Sequence, residues 1–159
     1  MAESLIDGDL KFFYSWPAPA DIRISGTDLV RDPGLENAVL ISLFSDSRAA
    51  VDDQLPDKND TRRGWWGDTL IGSPVGSKVW LSDRSKIVSQ SLVQQEQHIA
   101  EALAWMKSDG IASKIEAKAA RSTLRTDEII YSVTITAPSG MTIFFKYYYN
   151  WKTQTTGSI

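Results

Sequence analysis

The chain lacks cysteine and contains a single histidine, His98, among its 159 residues. The lack of cysteine excludes disulfide bonds, thiolate nucleophiles and thiolate metal ligands. The residues at helical spacing from His98 include Gln94 and Glu101, and this set does not complete a metal site or a catalytic group. We therefore interpret His98 as structural, and we expect no catalytic residue, no metal and no cofactor.

Long apolar runs and blocks of positive charge are also missing. No run approaches the roughly 18 apolar residues of a membrane span, and no basic block exceeds the pair Arg62 and Arg63. The formal net charge is −3 and the isoelectric point is near 5.1, which gives no net attraction to nucleic-acid phosphates. Residues 1–9 carry acids where a secretory signal carries positive charge. We expect synthesis in the cytoplasm, with neither nucleic acid nor membrane as a partner.

The composition that remains is typical of one folded domain. Apolar residues make up 42% of the chain and charged residues 23%, as in ordinary folded proteins. A chain of 159 residues is long enough for one domain with a core and short for two. We predict a single compact unit that its core alone must stabilise.

The first half of the chain has weak structural signals and a long polar loop. Residues 1–20 combine aromatic side chains with prolines, which favours an extended N-terminal arm over a helix. Residues 21–24 alternate like a short strand, whereas residues 35–43 repeat apolar side chains at helical spacing. Residues 45–64 are polar and have no period, which predicts a loop of a length that is often functional.

The second half of the chain has clearer periods. A capping-box pattern at Ser91 opens a helix that we expect to end near Gly110. Residues 111–119 then alternate with a period of two, and residues 129–136 and 141–149 are rich in β-branched and aromatic side chains. We predict an α+β fold in which two main helices pack on a small C-terminal antiparallel sheet of about three strands, with an extended N-terminal arm.

The search for enzymatic chemistry ends without a specific motif. The chain has no phosphate-binding glycine loop, no nucleophile elbow and no zinc signature. A glycosidase needs only two suitably placed carboxylates, and 20 acidic residues make that requirement almost unspecific. A peptidoglycan-cleaving glycosidase therefore stays open as the alternative function. A small-ligand binding module is a third, because the pocket it requires is not visible in a sequence.

Two adjacent tryptophans, Trp65 and Trp66, lie between Gly64 and Gly67. The glycines allow unusual backbone angles, so both indoles can be directed at one surface. One interpretation is a loop that closes one end of the core, in which case each tryptophan-to-alanine change costs about 3–5 kcal/mol. The other is an anchor for a protein partner. We take Trp65 and Trp66 as candidate partner-binding residues and keep both interpretations.

The segment 141–149 is aromatic on both faces of its predicted strand. Phe145, Tyr147 and Tyr149 share one face because adjacent residues of a strand point to opposite sides. One aromatic face serves the core and the other needs a cover, so we take these three residues as candidate partner-binding residues. With one charge and no proline between residues 141 and 149, the hairpin 128–149 is predicted to offer an open edge to another protein's strand. The alternative is that this strand is already paired on both sides.

Several segments occur in an order that is characteristic of one protein family. They are residues 35–44, 45–48, 64–68, 76–81 and 100–110. The most specific parts are the doubled tryptophan between glycines and the Ala-Leu-Ala-Trp helix that ends in Asp-Gly. On these residues the chain resembles the Mu-type phage baseplate protein family.

The resemblance implies one baseplate-wedge-like α+β domain at residues 21–151, after an arm at 1–20 and before a C-terminal tail at 152–159. It further implies a non-enzymatic component of a contractile phage tail baseplate in the virion, which anchors or initiates the sheath. The implied partners are other baseplate wedge proteins and the tail sheath protein, with tail tube or hub proteins as further candidates and multiple copies per baseplate. Similar short wedge proteins often carry a Glu-Pro-Arg motif near the last sheet, which residues 109–116 lack. Contacts through that motif are therefore not expected here.

Overall fold

The structure of the chain is a computed structural model. It describes residues 9–13, 21–22, 24–26, 28–29, 31–32, 34–57, 61–82, 89–150, 152–153 and 155–159. The helices are α1 (Glu36–Phe44), α2 (Asp68–Ile71), α3 (Ser89–Ala102) and α4 (Trp105–Ser108), with a 3-10 turn at Val79–Ser82. The strands are β1 (Asp9–Leu10), β2 (Phe12–Phe13), β3 (Asp21–Ile22), β4 (Ile24–Ser25), β5 (Asp28–Leu29), β6 (Arg31–Asp32), β7 (Lys114–Arg121), β8 (Glu128–Thr136), β9 (Thr142–Asn150) and β10 (Thr155–Ser158).

Short antiparallel pairs form the described part of the N-terminal region. β1 pairs with β6, β2 with β3, and β4 with β5. Residues 9–13 of the predicted arm are therefore paired with later strands, and the side-chain amide of Asn37 donates a hydrogen bond to the carbonyl oxygen of Leu10. Residues 1–8 and 14–20 of the predicted arm lie outside the described residues. The described part of the arm is thus joined to the start of α1.

The two main helices lie where apolar periodicity predicts them, but the details of the second differ. α1 buries Val39 and Leu43 completely or nearly so. α3 begins at Ser89, so Ser91 lies within its first turn and the predicted capping box is wrong. α3 ends at Ala102, and α4 follows after a two-residue turn, so the single helix predicted to Gly110 is two helices. Gly110 has a positive φ of 72°, which suits a glycine after a helix.

Four antiparallel strands form the C-terminal sheet in the order β7, β8, β9, β10. In its register Ala117 lies opposite Val133, and Val133 lies opposite Phe145. The predicted hairpin loop at residues 137–140 is confirmed by the hydrogen bond from the Gly140 N–H to the Ala137 oxygen, at 2.9 Å. The prediction of about three strands omitted β10, which lies within the segment assigned to a tail.

The core lies between the sheet and the two main helices. Alternate residues of β8 point into it and pack against Val39 and Leu43 of α1, Ile99 of α3 and the following Leu103; these β8 residues are Ile129, Tyr131, Val133 and Ile135. The Tyr131 hydroxyl donates a hydrogen bond to Oε1 of Gln95 at 2.6 Å, so two buried polar groups satisfy each other. The predicted α+β fold, with two main helices on a small antiparallel sheet, is confirmed.

Candidate partner-binding surfaces

Each of the two glycines that flank the tryptophan pair is required for a different structural reason. Gly64 has a positive φ of 103°, a conformation that residues with a Cβ rarely adopt. Gly67 lies directly beneath the indole of Trp65, where an added Cβ would overlap the ring. The two indoles also contact each other, with ring centroids 5.4 Å apart. The pattern of two tryptophans between two glycines is therefore explained by local geometry.

The segment before the tryptophans is held by two arginines. The guanidinium of Arg62 donates hydrogen bonds to the carbonyl oxygens of Ala50 and Val51. Arg63 forms an ion pair with Asp46, with 2.9 Å between Nη1 of Arg63 and Oδ2 of Asp46. The guanidinium carbon of Arg63 lies 4.3 Å from the ring centroid of Trp80. These contacts attach the polar loop to a buried side chain, because Trp80 is 4% exposed. The segment that precedes the tryptophan pair is therefore held in place by these contacts.

Trp66 points into solvent. Trp66 is 77% exposed, whereas Trp65 is 38% exposed. Leu70 of α2 is 78% exposed, so a second large apolar side chain follows four residues later. This exposure disagrees with a loop that buries Trp66 in the core and favours a surface anchor. The contact of Trp65 and Trp66 with a partner stays a prediction.

The aromatic residues of β9 lie differently from the prediction. Tyr147 is 1% exposed and meets the ring of Phe44 edge-on at 5.5 Å, while Phe145 and Tyr149 are half-buried against the same core. The face formed by Phe145, Tyr147 and Tyr149 is therefore the core face, and the interpretation of this face as a partner surface is wrong. The physical reason is α1, whose last residue, Phe44, covers this side of the strand. The other face carries Phe144, which is 60% exposed.

The predicted open edge of the hairpin 128–149 is also wrong. β8 pairs with β7, and β9 pairs with β10, so both edges of this hairpin are occupied by the chain's own strands. Among the described strands, the edges of this sheet are β7 and β10. Any partner strand must therefore be sought at one of those two positions.

The edge at β7 is closed by a side chain of α3. Oε1 of Glu96 accepts a hydrogen bond from the backbone N–H of Ala119 at 3.0 Å. Oε2 of Glu96 lies 3.6 Å from the ammonium group of Lys118. Exposed charged residues also lie along this strand, which is a common protection of sheet edges; they are Lys114, Glu116, Lys118 and Arg121.

The edge at β10 has neither protection. The backbone N–H of Ile159 donates to the Lys146 oxygen of β9 at 2.9 Å, so the N–H groups of every second residue face β9. By this alternation, the N–H groups of Thr156 and Ser158 point away from β9. Among the residues that the structure describes, no strand pairs with this side. The strand has no charged residue and no proline.

Sequence reasoning missed this edge because residues 155–158 contain no large apolar side chain. The available signal was the cluster of β-branched residues at Thr153, Thr155 and Thr156, following a strand and a short polar segment. Gly157 weakened that signal. Its position is explained by Tyr148, whose ring covers the glycine across the strand pair.

A cleft of about 330 Å³ lies beside β10. It is bounded by the last turn of α1, by the ion pair of Arg63 and Asp46, and by the inner face of the sheet at Tyr149 and Thr156. Arg63 itself has a positive φ of 42°, an unusual conformation for a residue other than glycine. Such strain persists where surrounding contacts hold the residue, as Asp46 and Trp80 do here.

Two carboxyl groups among the described residues have a lowered pKa. A hydrogen bond from Lys78 holds the pKa of Asp53 below its usual value, and the side chain of Asn150 does the same for Asp127. A glycosidase acid requires a raised pKa, so neither carboxyl suits that role. Nδ1 of His98 lies 3.7 Å from Oε2 of Glu101, and no cluster of three metal-binding side chains occurs within the described ranges. None of the helices described is long and apolar enough to cross a bilayer.

One family model and two known proteins match most of this chain. The model of a family described as phage protein GP46 matches residues 35–142. Baseplate protein gp46 of Escherichia phage Mu is 38% identical over 127 residues, which cover 80% of this chain and 86% of the relative. The Mu-like prophage FluMu protein gp46 of Haemophilus influenzae is 29% identical over 132 residues, which cover 82% of this chain and 89% of the relative. The segment matched by the family contains α1, the tryptophan pair, α3, β7 and β8.

Proposed function

Because this chain belongs to the phage protein GP46 family, we propose that it is a non-enzymatic structural subunit of the baseplate of a contractile phage tail. The resemblance inferred from the sequence is thereby confirmed. The observation that carries the proposal is the similarity to a protein named as a baseplate protein, which extends over 80% of this chain. The chain then belongs in the tail of the virion and assembles in the host cytoplasm.

The glycosidase alternative is the weaker one. Its support is a count of acidic residues, and the two carboxyl groups with lowered pKa, Asp53 and Asp127, have the wrong direction for a general acid. Purified chain is expected to leave suspensions of bacterial cell walls turbid. Clearing that is lost on replacement of one acidic residue is the result that supports the enzyme instead.

We place the main assembly contact at the free side of β10. An extended segment of a neighbouring tail protein pairs there, and the backbone groups of Thr156 and Ser158 supply its hydrogen bonds. The tail sheath protein is the first candidate for this segment, and other wedge proteins are the second. The support is the contrast between the two sheet edges, because Glu96 closes β7 while nothing described covers β10.

Thr156→Pro tests this contact. The proline removes an N–H that points away from β9, and edge strands tolerate proline at such positions. We expect the free energy of unfolding to change by less than about 1 kcal/mol. In a prophage that lacks its own copy of the gene, we expect tails with a complete sheath to fall by about tenfold or more, as electron microscopy can count.

Thr156→Val is the matched control, because it changes the side chain and keeps the N–H. It is expected to form sheathed tails normally. If Thr156→Pro also forms normal tails while circular dichroism shows a folded sheet, strand addition at β10 is refuted. If the proline variant is unfolded, Ser158→Pro repeats the test at the second outward N–H.

The tryptophan pair is proposed as a second contact, with an apolar recess on a neighbouring baseplate protein. Trp66→Ala is expected to change the free energy of unfolding by less than about 1 kcal/mol, because Trp66 is 77% exposed. Incorporation of the variant into baseplates, measured by immunoblotting of purified tails, is expected to fall strongly. Leu124→Ala is the control, since Leu124 is 93% exposed in another loop. Normal incorporation of Trp66→Ala argues against the anchor.

A further inference from the structure

The cleft beside β10 lies on one side of the strand that the proposed partner extends. Thr156 pairs with Tyr149, and residues paired across a sheet point to the same face. Tyr149 packs against the core, so the side chain of Thr156 is on the inner face, where it borders the cleft. The Thr156 backbone groups meanwhile point outward. A partner residue that pairs with Thr156 therefore also directs its side chain to the inner face.

The lining of the cleft disfavours a charged occupant. Its walls are mostly apolar side chains, with Leu40 and Phe44 from α1 and Trp80 among them. The charges at its rim belong to Arg63 and Asp46, which neutralise each other at 2.9 Å. A charged side chain placed there loses water without gaining a free counter-charge. An apolar side chain has no charge hydration to lose there, and it gains stability by burying its surface.

We infer that the segment that adds to β10 belongs to another tail protein and places a large apolar residue, opposite Thr156, in this cleft. This inference rests on the proposed strand addition and names the side-chain chemistry of its partner. The cleft volume of about 330 Å³ is at the lower end for ligand pockets, and it accommodates one large side chain. The two residues beside this one in the partner strand face the opposite side of the sheet. The cleft therefore sets the register of the added strand.

Synthetic peptides of about 12 residues provide the probe, since this length exceeds that of a typical strand. Overlapping peptides covering the other tail proteins of the same phage, and this chain itself, are tested for binding to the full-length protein by fluorescence anisotropy. We expect at least one peptide from another tail protein to bind and to lose binding with Thr156→Pro. Within that peptide, one apolar residue changed to serine is expected to weaken binding about tenfold or more, and its immediate neighbours less than about threefold.

Two variants of the protein test the cleft from the other side. Ile41→Trp places an indole at its wall, and Ile41 is 41% exposed, so the fold accommodates the change. Val93→Trp is the matched control on α3, where Val93 is 61% exposed and does not line the cleft. We expect Ile41→Trp to weaken peptide binding by about tenfold and Val93→Trp to leave it unchanged.

The possible outcomes distinguish a failure of the cleft inference from a failure of the proposed strand addition at β10. Peptides that require the Thr156 N–H but tolerate serine at every position, or bind Ile41→Trp normally, overturn the cleft and leave strand addition intact. If no peptide is sensitive to Thr156→Pro, strand addition and the cleft are both overturned. If the only sensitive peptides come from this chain, the occupant is a second copy and the inference of another tail protein is wrong.

Discussion

Tyr147→Lys is expected to abolish the folded state or to lower the free energy of unfolding by at least about 3–5 kcal/mol. Tyr147 is 1% exposed, and its ring meets Phe44 at the junction of α1 and the sheet. The substitution removes this packing and introduces an ammonium group into a cluster whose described members include no acidic side chain. Urea unfolding followed by tryptophan fluorescence measures the loss.

Phe144→Lys is the control for this change. Phe144 precedes Tyr147 in the same strand by three residues, but it lies on the other face and is 60% exposed. Its replacement is expected to alter the free energy of unfolding by no more than about 0.5 kcal/mol. Equal losses for both lysine variants contradict the assignment of the two faces.

Gly76→Ala is expected to destabilise the chain by about 3 kcal/mol or more, through backbone strain and lost hydrogen bonds. Gly76 has a φ of 103°, and an added Cβ overlaps the carbonyl oxygen of Ser45. That oxygen accepts a hydrogen bond from the Ser77 N–H at 2.9 Å, and the Ser77 hydroxyl donates a hydrogen bond to the Leu43 oxygen at 2.6 Å. The change thus disturbs the connection between α1 and the loop that carries Val79 and Trp80.

Gly72→Ala is the matched control, because Gly72 also has a positive φ, of 78°, but has no atom within 4 Å of an added Cβ. Its cost is expected to be the left-handed conformation alone, about 1–2 kcal/mol. Thermal melts of both variants, monitored by circular dichroism, make the comparison. Equal melting temperatures are inconsistent with the close contact at Gly76.

Local sequence patterns were sufficient for α1 and β8. α1 and β8 have apolar side chains at the periods of a helix and a strand, and both lie where these periods predict them. β10 could not be found in this way, because its four residues join the sheet mainly through backbone hydrogen bonds. A strand of this kind depends on the neighbour that it pairs with.

The candidate site was predictable in part only. The tryptophan pair was recognisable as unusual, but its exposure depends on where the loop is attached, at Arg62 and Arg63. For β9, the sequence alternation correctly grouped Phe145, Tyr147 and Tyr149 on one face. Both faces are aromatic, however, so only the position of α1 decides which of them is buried. That contact joins residues about 100 positions apart and has no local signature.

The closed edge at β7 limits the valence of this subunit. A protein with two open sheet edges accepts a strand on each side and can continue as a fibril. Here Glu96 already occupies the N–H of Ala119, so the strand addition proposed at β10 is not expected to be followed by a second one at β7. If that proposal holds, the chain is in polymer terms an end group rather than a repeat unit, and its number in a particle sets the number of strand-paired series.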